Sequence, residues 1–173
     1  EQLSFKLLEL IVYSREKFPL SAVNTLTFAQ ETAAVLKPLL QKYNILLKSD
    51  IEEMHVLMDS VLLKTLLYNL ADNACKASQP GQTILFCMKK RSDGNCLVSI
   101  KDFGTGIPVD QLDRITEPFY MVDKSRSRRL NGAGLGLSIA QRIAQLHGAA
   151  LSVESLPGAG SSFSFILKGG APL

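Results

Sequence analysis

NGAGLGLSIAQRIAQLHG, residues 131 to 148, sets three glycines at alternate positions, Gly132, Gly134 and Gly136, directly ahead of a segment with helical patterning. What such a run can hold decides what kind of domain this is. A P-loop requires a Lys and a Ser or Thr immediately after its last glycine, so that an ammonium and a hydroxyl reach the phosphates and their magnesium, whereas Leu137 and Ser138 follow Gly136. A dinucleotide fingerprint requires its glycines on a tight turn after an apolar strand, whereas the polar, basic MVDKSRSRRLN precedes this run. What remains is general physics. Glycines admit an anion close to backbone N–H groups, and a helix N-terminus behind them adds unpaired N–H groups and a favourable dipole. The run reads as an anion site and, by itself, specifies no ligand.

The chain has 173 residues, 46% apolar and 20% charged, with no tryptophan, which fits one globular domain with a single core. A formal charge of +3, with basic residues clustered only in KSRSRR (124–129), does not point to nucleic acid. Cys75, Cys87 and Cys96 form no C-x-x-C pair and leave an odd thiol, which favours a reducing compartment, so the expectation is cytoplasmic. Neither a charged-then-apolar leader nor a run of about 18 apolar residues is present, so the chain as it stands reads as neither exported nor membrane-spanning. It begins at Glu1 without a methionine, and is expected to be a piece of a longer protein.

Leu3, Leu7, Leu10 and Ile11 give the first segment a helical spacing that ends at Pro19. FAQETAAVLKPLLQKY (28–43) reads as a second helix, kinked or interrupted at Pro38, followed by short strands in NILLKS and MHVLMD. SVLLKTLLYNLADNACKAS (60–78) is a long helix with Ser60 as its cap and Val61, Leu62, Thr65, Leu66, Asn69, Leu70 and Asn73 near one face. QTILFCMKK and CLVSIKDF form a hairpin around Asp93-Gly94. A short helix near 109–114, the helix LGLSIAQRIAQLH closed by Gly148, and a last hairpin across LPGAG complete the chain. Hairpin connections among mixed elements imply an α+β fold whose sheet is largely antiparallel with helices on one face.

Four motifs occur in order. In NLADNACKAS, Asn69, Asn73 and Lys76 recur at spacings of four and three and share one helix face. Two amide oxygens and an ammonium suit a hydrated magnesium, which takes few protein ligands, together with the phosphate oxygens it bridges. In DFGTGI, Asp102 ends a strand, where a carboxylate can accept from an exocyclic amine, while Gly104 and Gly106 let a flat base approach the backbone. EPFY and its polar continuation come third, and the glycine run fourth. Singly each has an ordinary structural explanation: a satisfied amide, a common turn, a solvated basic surface. Their order, spacing and placement on helix and strand together argue for a site.

These motifs resemble, over roughly residues 24 to 168, the catalytic ATP-binding domain of sensor histidine kinases, within the superfamily that includes gyrase, the heat-shock chaperone and mismatch-repair ATPases. NLADNA is similar to the N box, DFGTG to the first glycine box, EPFY to the F box, GAGLGL to the second glycine box and GAGSSFSF to the closing hairpin. The resemblance implies a two-layer α/β sandwich of the Bergerat type at 21–173, preceded at 1–20 by the tail of a dimerisation and phosphoacceptor helix. It implies ATP and Mg2+ as ligands. It assigns Asn73 to the metal with Asn69 in support, Lys76 to phosphate, Asp102 to the adenine amine, Gly104 and Gly106 to the base, and Gly132, Gly134 and Gly136, with Leu135 among them, to the triphosphate. Phe119 would anchor a lid (120–133) whose Lys124, Arg126 and Arg128 approach the phosphates. The chain departs from the usual pattern at Ala77, where an aromatic often packs near the adenine, and at Thr116, Asn131 and Ala133 around the lid.

Relatives that hydrolyse ATP, and the anti-sigma-type serine kinases, resemble one another in carrying a Glu four residues before the metal Asn, where it deprotonates water. Asn69 holds that position here, and an amide cannot take the proton. Phosphoryl transfer depends mainly on positioning and charge stabilisation, and a neutral imidazole is already a competent nucleophile. The resemblance therefore implies transfer to histidine, with relay to a response regulator and a homodimeric parent that is often anchored in the plasma membrane. His55 and His147 both read as structural, so the acceptor is expected on a domain outside this fragment, which then binds Mg-ATP without phosphorylating itself. The competing class is an interaction module that binds nucleotide or nothing and holds partners. Asn73 and Asp102 argue against it, Ala77 and the altered lid for it.

Overall fold

Strict alternation in TILFCMKK and SSFSFIL buries Ile84, Phe86 and Met88 on one side of the first strand and Phe163, Phe165 and Leu167 on one side of the second. Each such side chain contributes roughly 1.5–3 kcal/mol when taken from water into a core. The computed structural model describes residues 19–120 and 134–171. Its elements run β1 (Ser21–Asn24), α1 (Thr25–Tyr43), β2 (Leu46–Ile51), β3 (His55–Met58), α2 (Ser60–Ala77), β4 (Thr83–Lys90), β5 (Cys96–Lys101), a 3-10 turn (Val109–Gln111), α3 (Gly136–Leu146), β6 (Ser152–Leu156) and β7 (Gly160–Leu167).

Five strands form a sheet in the order β2-β4-β5-β7-β6, with β2 parallel to β4 and every other pairing antiparallel. β1 and β3 make a separate antiparallel ribbon. Leu63, Leu66, Leu67 and Leu70 of α2, Ile139 and Ile143 of α3, and Phe28 and Leu36 of α1 join the inward side chains of the sheet in one core. This is the expected α+β sandwich with a mixed, mostly antiparallel sheet and helices on one face. Among the described residues no helix is long and apolar enough to cross a membrane.

Several local expectations need correction. α1 starts at Thr25, because the Asn24 side chain accepts from the amides of Leu26 (2.9 Å) and Thr27 (3.2 Å). It continues through Pro38 without interruption: proline removes one N–H, and Leu36, Leu39 and Leu40 are buried on either side of it. The cap of α2 is Asp59, whose Oδ1 accepts from Val61 and Leu62 (both 3.0 Å), and Ser60 is already helical. Val61 is exposed, because the apolar stripe of α2 runs through Leu62, Leu66 and Leu70 on the other side. The short helix near 109–114 is a single 3-10 turn. The turns at Gly94 (φ +81°) and Gly148 (φ +69°) form as expected, the latter donating to Gln145 O at 2.9 Å.

α2 and α3 pack antiparallel. At one end the buried His147 accepts at Nε2 from the Asp59 amide (3.1 Å) and donates from Nδ1 to Ile143 O (2.8 Å), so it ties the C-terminus of α3 to the start of α2. His55 lies in β3, its carbonyl accepting from Gly170 N at 2.9 Å. At the other end of the helix pair, the first residue of α3 stands beside Asn69 and Asn73.

Candidate functional site

The spacing of Asn69, Asn73 and Lys76 places all three along α2, two of them facing the N-terminus of α3. Asn69 is buried and its Nδ2 donates to Thr65 O (2.9 Å), which leaves Oδ1 turned toward Gly136, where a Cβ would stand 3.2 Å from it. The same Cβ would lie 3.7 Å from Asn73 Nδ2. That Nδ2 is buried and has no hydrogen-bond partner among the described residues. Leu135 precedes the helix with its side chain fully buried and offers no cap, and Ser138 Oγ donates back to Leu135 O at 2.9 Å instead of capping the turn. The first amides of α3 therefore have no intrahelical acceptor and carry the positive end of its dipole. Lys76 Nζ is held 2.6 Å from Asp72 Oδ2, one turn back, with both side chains about a fifth exposed.

Asp102 follows β5 and is 2% exposed. Its Oδ1 accepts from Gly104 N (2.9 Å) and Ser161 N (3.3 Å). Burial pushes the carboxyl above the ordinary carboxylate range, and these amide bonds pull it partly back. The loop after it is fixed by backbone. A Cβ on Gly104 would overlap the Ala77 carbonyl at the end of α2, which also accepts from Thr105 N (3.1 Å). Gly106 (φ +67°) stands against the Leu156 carbonyl, and Gly158 N donates to Thr105 O (2.8 Å). The requirement for glycine at 104 and 106 is thus set by the chain's own backbone, apart from any base that lies on the loop.

Phe119 (φ +66°) has a half-exposed ring, and its N–H donates to Gly134 O at 2.8 Å. Gly134 (φ +69°) packs so closely on the Phe119 backbone that a Cβ would stand 2.8 Å from its carbonyl carbon. Residues 119 and 134 therefore bring the two ends of the intervening segment together. Lys124, Arg126, Arg128 and Gly132 lie outside the described residues, as does the first expected helix.

Sequence reasoning passed over two residues, Ser161 on β7, which adjoins Asp102, and its cross-strand partner Ser155 on β6. Their signal was the inward parity of SSFSFIL, which puts Ser161 on the same face as the buried Phe163. Asp72 was also missed, although its place one turn before Lys76 was legible.

Residues 58–170 match the family described as "Histidine kinase-, DNA gyrase B-, and HSP90-like ATPase". Similar proteins include the sensor histidine kinase YkoH of Bacillus subtilis, 39% identical over 142 residues, which cover 81% of this chain and 31% of that one. The sensor-like histidine kinase SenX3 of Mycobacterium bovis is 34% identical over 165 residues, covering 92% of this chain and 40% of its own. The chain thus spans about a third of the length of these relatives. Among solved structures, full-length ShkA in complex with AMPPNP superposes with a TM-score of 0.78 at 25% identity, covering 96% of this chain and 35% of that one. The mycobacterial sensor histidine kinase MprB gives 0.73 at 24% identity, covering 87% of this chain and 97% of that one, a likeness of fold. With the start of α3 beside Asn69 and Asn73 of α2 and the loop after the buried Asp102 against the end of α2, the chain belongs to the histidine kinase-, gyrase B- and HSP90-like ATPase family, as a catalytic ATP-binding domain of the histidine-kinase kind.

Proposed function

We propose that this chain binds Mg-ATP between α2 and α3 and donates the γ-phosphoryl group to a histidine on a phosphoacceptor domain, for relay to a response regulator. The observation that carries the reading is the buried Nδ2 of Asn73, without a partner among the described residues, facing the N-terminus of α3, which Leu135 does not cap. A donor amide and a helix terminus turned to one space call for an anion with several oxygens. Among the described residues no group of three or more His, Cys, Asp or Glu is placed to hold a metal. The donor set thus fits a largely hydrated cation that arrives with phosphate and meets the amide oxygens of Asn73 and Asn69. Such a magnesium supplies charge neutralisation to the leaving oxygens.

The residues of this chain do the positioning. Asp102 accepts from the exocyclic amine of adenine at Oδ2, because both amide bonds to its carboxylate fall on Oδ1. Gly134, Leu135 and Gly136 lead the triphosphate onto the first amides of α3, and Lys76, steered by Asp72, reaches a phosphate oxygen. Lys124, Arg126 and Gly132 belong to the lid in this reading, with Phe119 at its hinge. Asn69 offers no base for water, so the bond from Pγ to the β-bridging oxygen is kept for an imidazole nitrogen, which forms the P–N bond as ADP leaves. Residues 1–20 are the tail of the dimerisation helix and 21–173 the catalytic domain of a homodimeric parent, and the acceptor histidine lies outside this chain.

The test is a calorimetric titration of the chain with ATP, with and without magnesium. One magnesium-dependent site, with no acid-labile phosphohistidine on the chain afterwards, is the expected result. Absence of binding at millimolar nucleotide would overturn the reading in favour of an interaction module, and sustained ADP release would overturn the argument from Asn69.

A further inference from the structure

At the edge of the sheet, three polar side chains form a row across neighbouring strands: Asp102 after β5, Ser161 on β7 and Ser155 on β6. Ser155 Oγ has three partners: Ile107 N at 2.8 Å, Gly160 O at 2.9 Å and Ser161 Oγ at 2.9 Å. A hydroxyl has one hydrogen and two lone pairs. The Ile107 amide can only donate and the Gly160 carbonyl can only accept, so Ser155 spends its hydrogen on Gly160 O and one lone pair on Ile107 N. Its remaining lone pair faces Ser161, whose hydroxyl must therefore be the donor of that bond. With its hydrogen committed, Ser161 Oγ has only lone pairs to offer elsewhere. The backbone amide of the same Ser161 donates to Oδ1 of the Asp102 carboxylate at 3.3 Å.

We infer that Ser155 is a positioning residue for base selection: by holding the Ser161 hydrogen it keeps Ser161 and Asp102 as an acceptor-only wall, which takes 6-aminopurine nucleotides and refuses 6-oxopurine ones. The inference rests on the placement of adenine at Asp102 proposed above. Adenine turns an amine, a donor, toward such a wall. A 6-oxopurine turns a carbonyl oxygen toward it, and lone pairs then face lone pairs. Loss of the Ser155 hydroxyl frees the Ser161 hydrogen to rotate and donate to that carbonyl, so discrimination falls at the one position where the two bases differ. Ser155 touches no base itself. It acts through Ser161, and through Ile107 it also fixes the far end of the loop that follows Asp102.

The experiment measures affinities of the full chain for ATP and inosine triphosphate, with magnesium, in the wild type, Ser155→Ala, Ser155→Thr and Ser155→Ala/Ser161→Ala. The wild type prefers ATP. Ser155→Ala narrows the ATP-to-inosine-triphosphate ratio by about tenfold, the worth of one hydrogen bond. Ser155→Thr, which keeps the hydroxyl, restores the ratio, and the double variant loses the gain in inosine triphosphate affinity. A purely structural Ser155 would weaken both nucleotides alike, and an unchanged ratio overturns the inference. Should Ser155→Ala not fold by far-UV circular dichroism, Ser161→Ala alone carries the test. It removes lone pairs that accept from the ATP amine and repel a 6-oxo group, so ATP binding weakens and inosine triphosphate binding holds or rises; a ratio that widens or stays fixed overturns the inference. A wild type that binds neither triphosphate overturns the nucleotide reading and this inference with it, whereas an ATP-selective wild type with an unaltered Ser155→Ala ratio overturns this inference alone.

Discussion

Asp102→Asn separates what this residue does for the fold from what it does for a ligand, because the two effects have opposite signs. The amide oxygen of Asn can keep the place of Oδ1 and go on accepting from Gly104 N and Ser161 N, at 2.9 and 3.3 Å. The substitution then puts an NH2 where Oδ2 stood, which in the proposed binding mode would face the adenine amine. A hydrogen bond to a charged group is worth about 1.5–3 kcal/mol and a buried unpaired donor costs about 1–3 kcal/mol, so the loss is about 3–5 kcal/mol. At 1.4 kcal/mol per decade this weakens ATP by about two to three and a half orders of magnitude. Stability moves the other way. Burial holds the folded-state carboxyl above its unfolded value, so the ionised form costs the fold stability at neutral pH. That cost lapses as the pH falls through the raised value toward the ordinary carboxylate range. Asp102→Asn lacks both the cost and this pH dependence, and its chemical denaturation midpoint at pH 7 equals or exceeds that of the wild type. The measurements are calorimetric titration with Mg-ATP and denaturant unfolding at neutral and acidic pH. An ATP affinity within about threefold of the wild type would refute the adenine assignment. A fall in midpoint would refute the account of the burial cost.

Gly136→Ala puts a methyl 3.2 Å from Asn69 Oδ1 and 3.7 Å from Asn73 Nδ2, in the space between the two helices. Alanine suits a helix start, so Mg-ATP binding weakens about tenfold while the melting temperature stays within about 2 °C, read by calorimetry and thermal melts. Gly106→Ala must carry φ +67° and overlap the Leu156 carbonyl, whereas Gly158→Ala carries φ +79° with nothing within 4 Å. The second therefore costs roughly 1–2 kcal/mol for left-handed backbone alone and the first clearly more, in denaturant unfolding; equal costs would contradict the packing of the loop. Desolvation pushes the Cys75 thiol up to about 12 and the buried Cys96 up to about 11, so neither presents thiolate at mildly alkaline pH. Iodoacetamide should add one group to the native chain, at the half-buried Cys87, and three in concentrated guanidinium, as counted by mass spectrometry.

The strands and helices were legible where a period was sustained. TILFCMKK, CLVSIK and SSFSFIL alternate, and their buried parity in the structure follows that alternation. Local signals competed where the expectation missed. Asp59 and Ser60 are both good caps, and the chain uses the carboxylate, which accepts from two amides. Pro38 looked like a break, but tertiary burial of Leu36, Leu39 and Leu40 carries the helix past it. The parallel pairing of β2 with β4 was not legible, since register between strands so far apart in the sequence leaves no local mark. In the candidate site the helical spacing of Asn69, Asn73 and Lys76 could be read directly. The double duty of Gly104 and Gly106 could not, because the backbones they touch, Ala77 and Leu156, are distant in sequence. Ser155 and Ser161 escaped notice for the same reason: a pair of serines has meaning only once β6 and β7 are in register.

The Asp102 side and the Asn73 side of the candidate site are held by different means, and the difference bears on how a nucleotide would be bound. On the Asp102 side the chain satisfies itself. Oδ1 has two amide donors, the Ala77 carbonyl has Thr105 N, and Ser155 has a partner for its hydrogen and both lone pairs. Glycines at 104, 106 and 160 let three backbones meet there without side chains between them. On the Asn73 side, Nδ2 has no protein partner and the first amides of α3 have no side-chain cap among the described residues. The half proposed to take the base is thus shaped by the chain's own hydrogen bonds and would spend little binding free energy on ordering. The proposed phosphate half contains, at Asn73 Nδ2, a buried donor without a partner among the described residues, so a phosphate oxygen bonded there would also relieve a desolvation cost already present in the fold. In the proposed binding mode, selectivity for the base would therefore belong to the row of Asp102, Ser161 and Ser155, and the dependence of affinity on the phosphates and their metal to Asn73 and the first turn of α3.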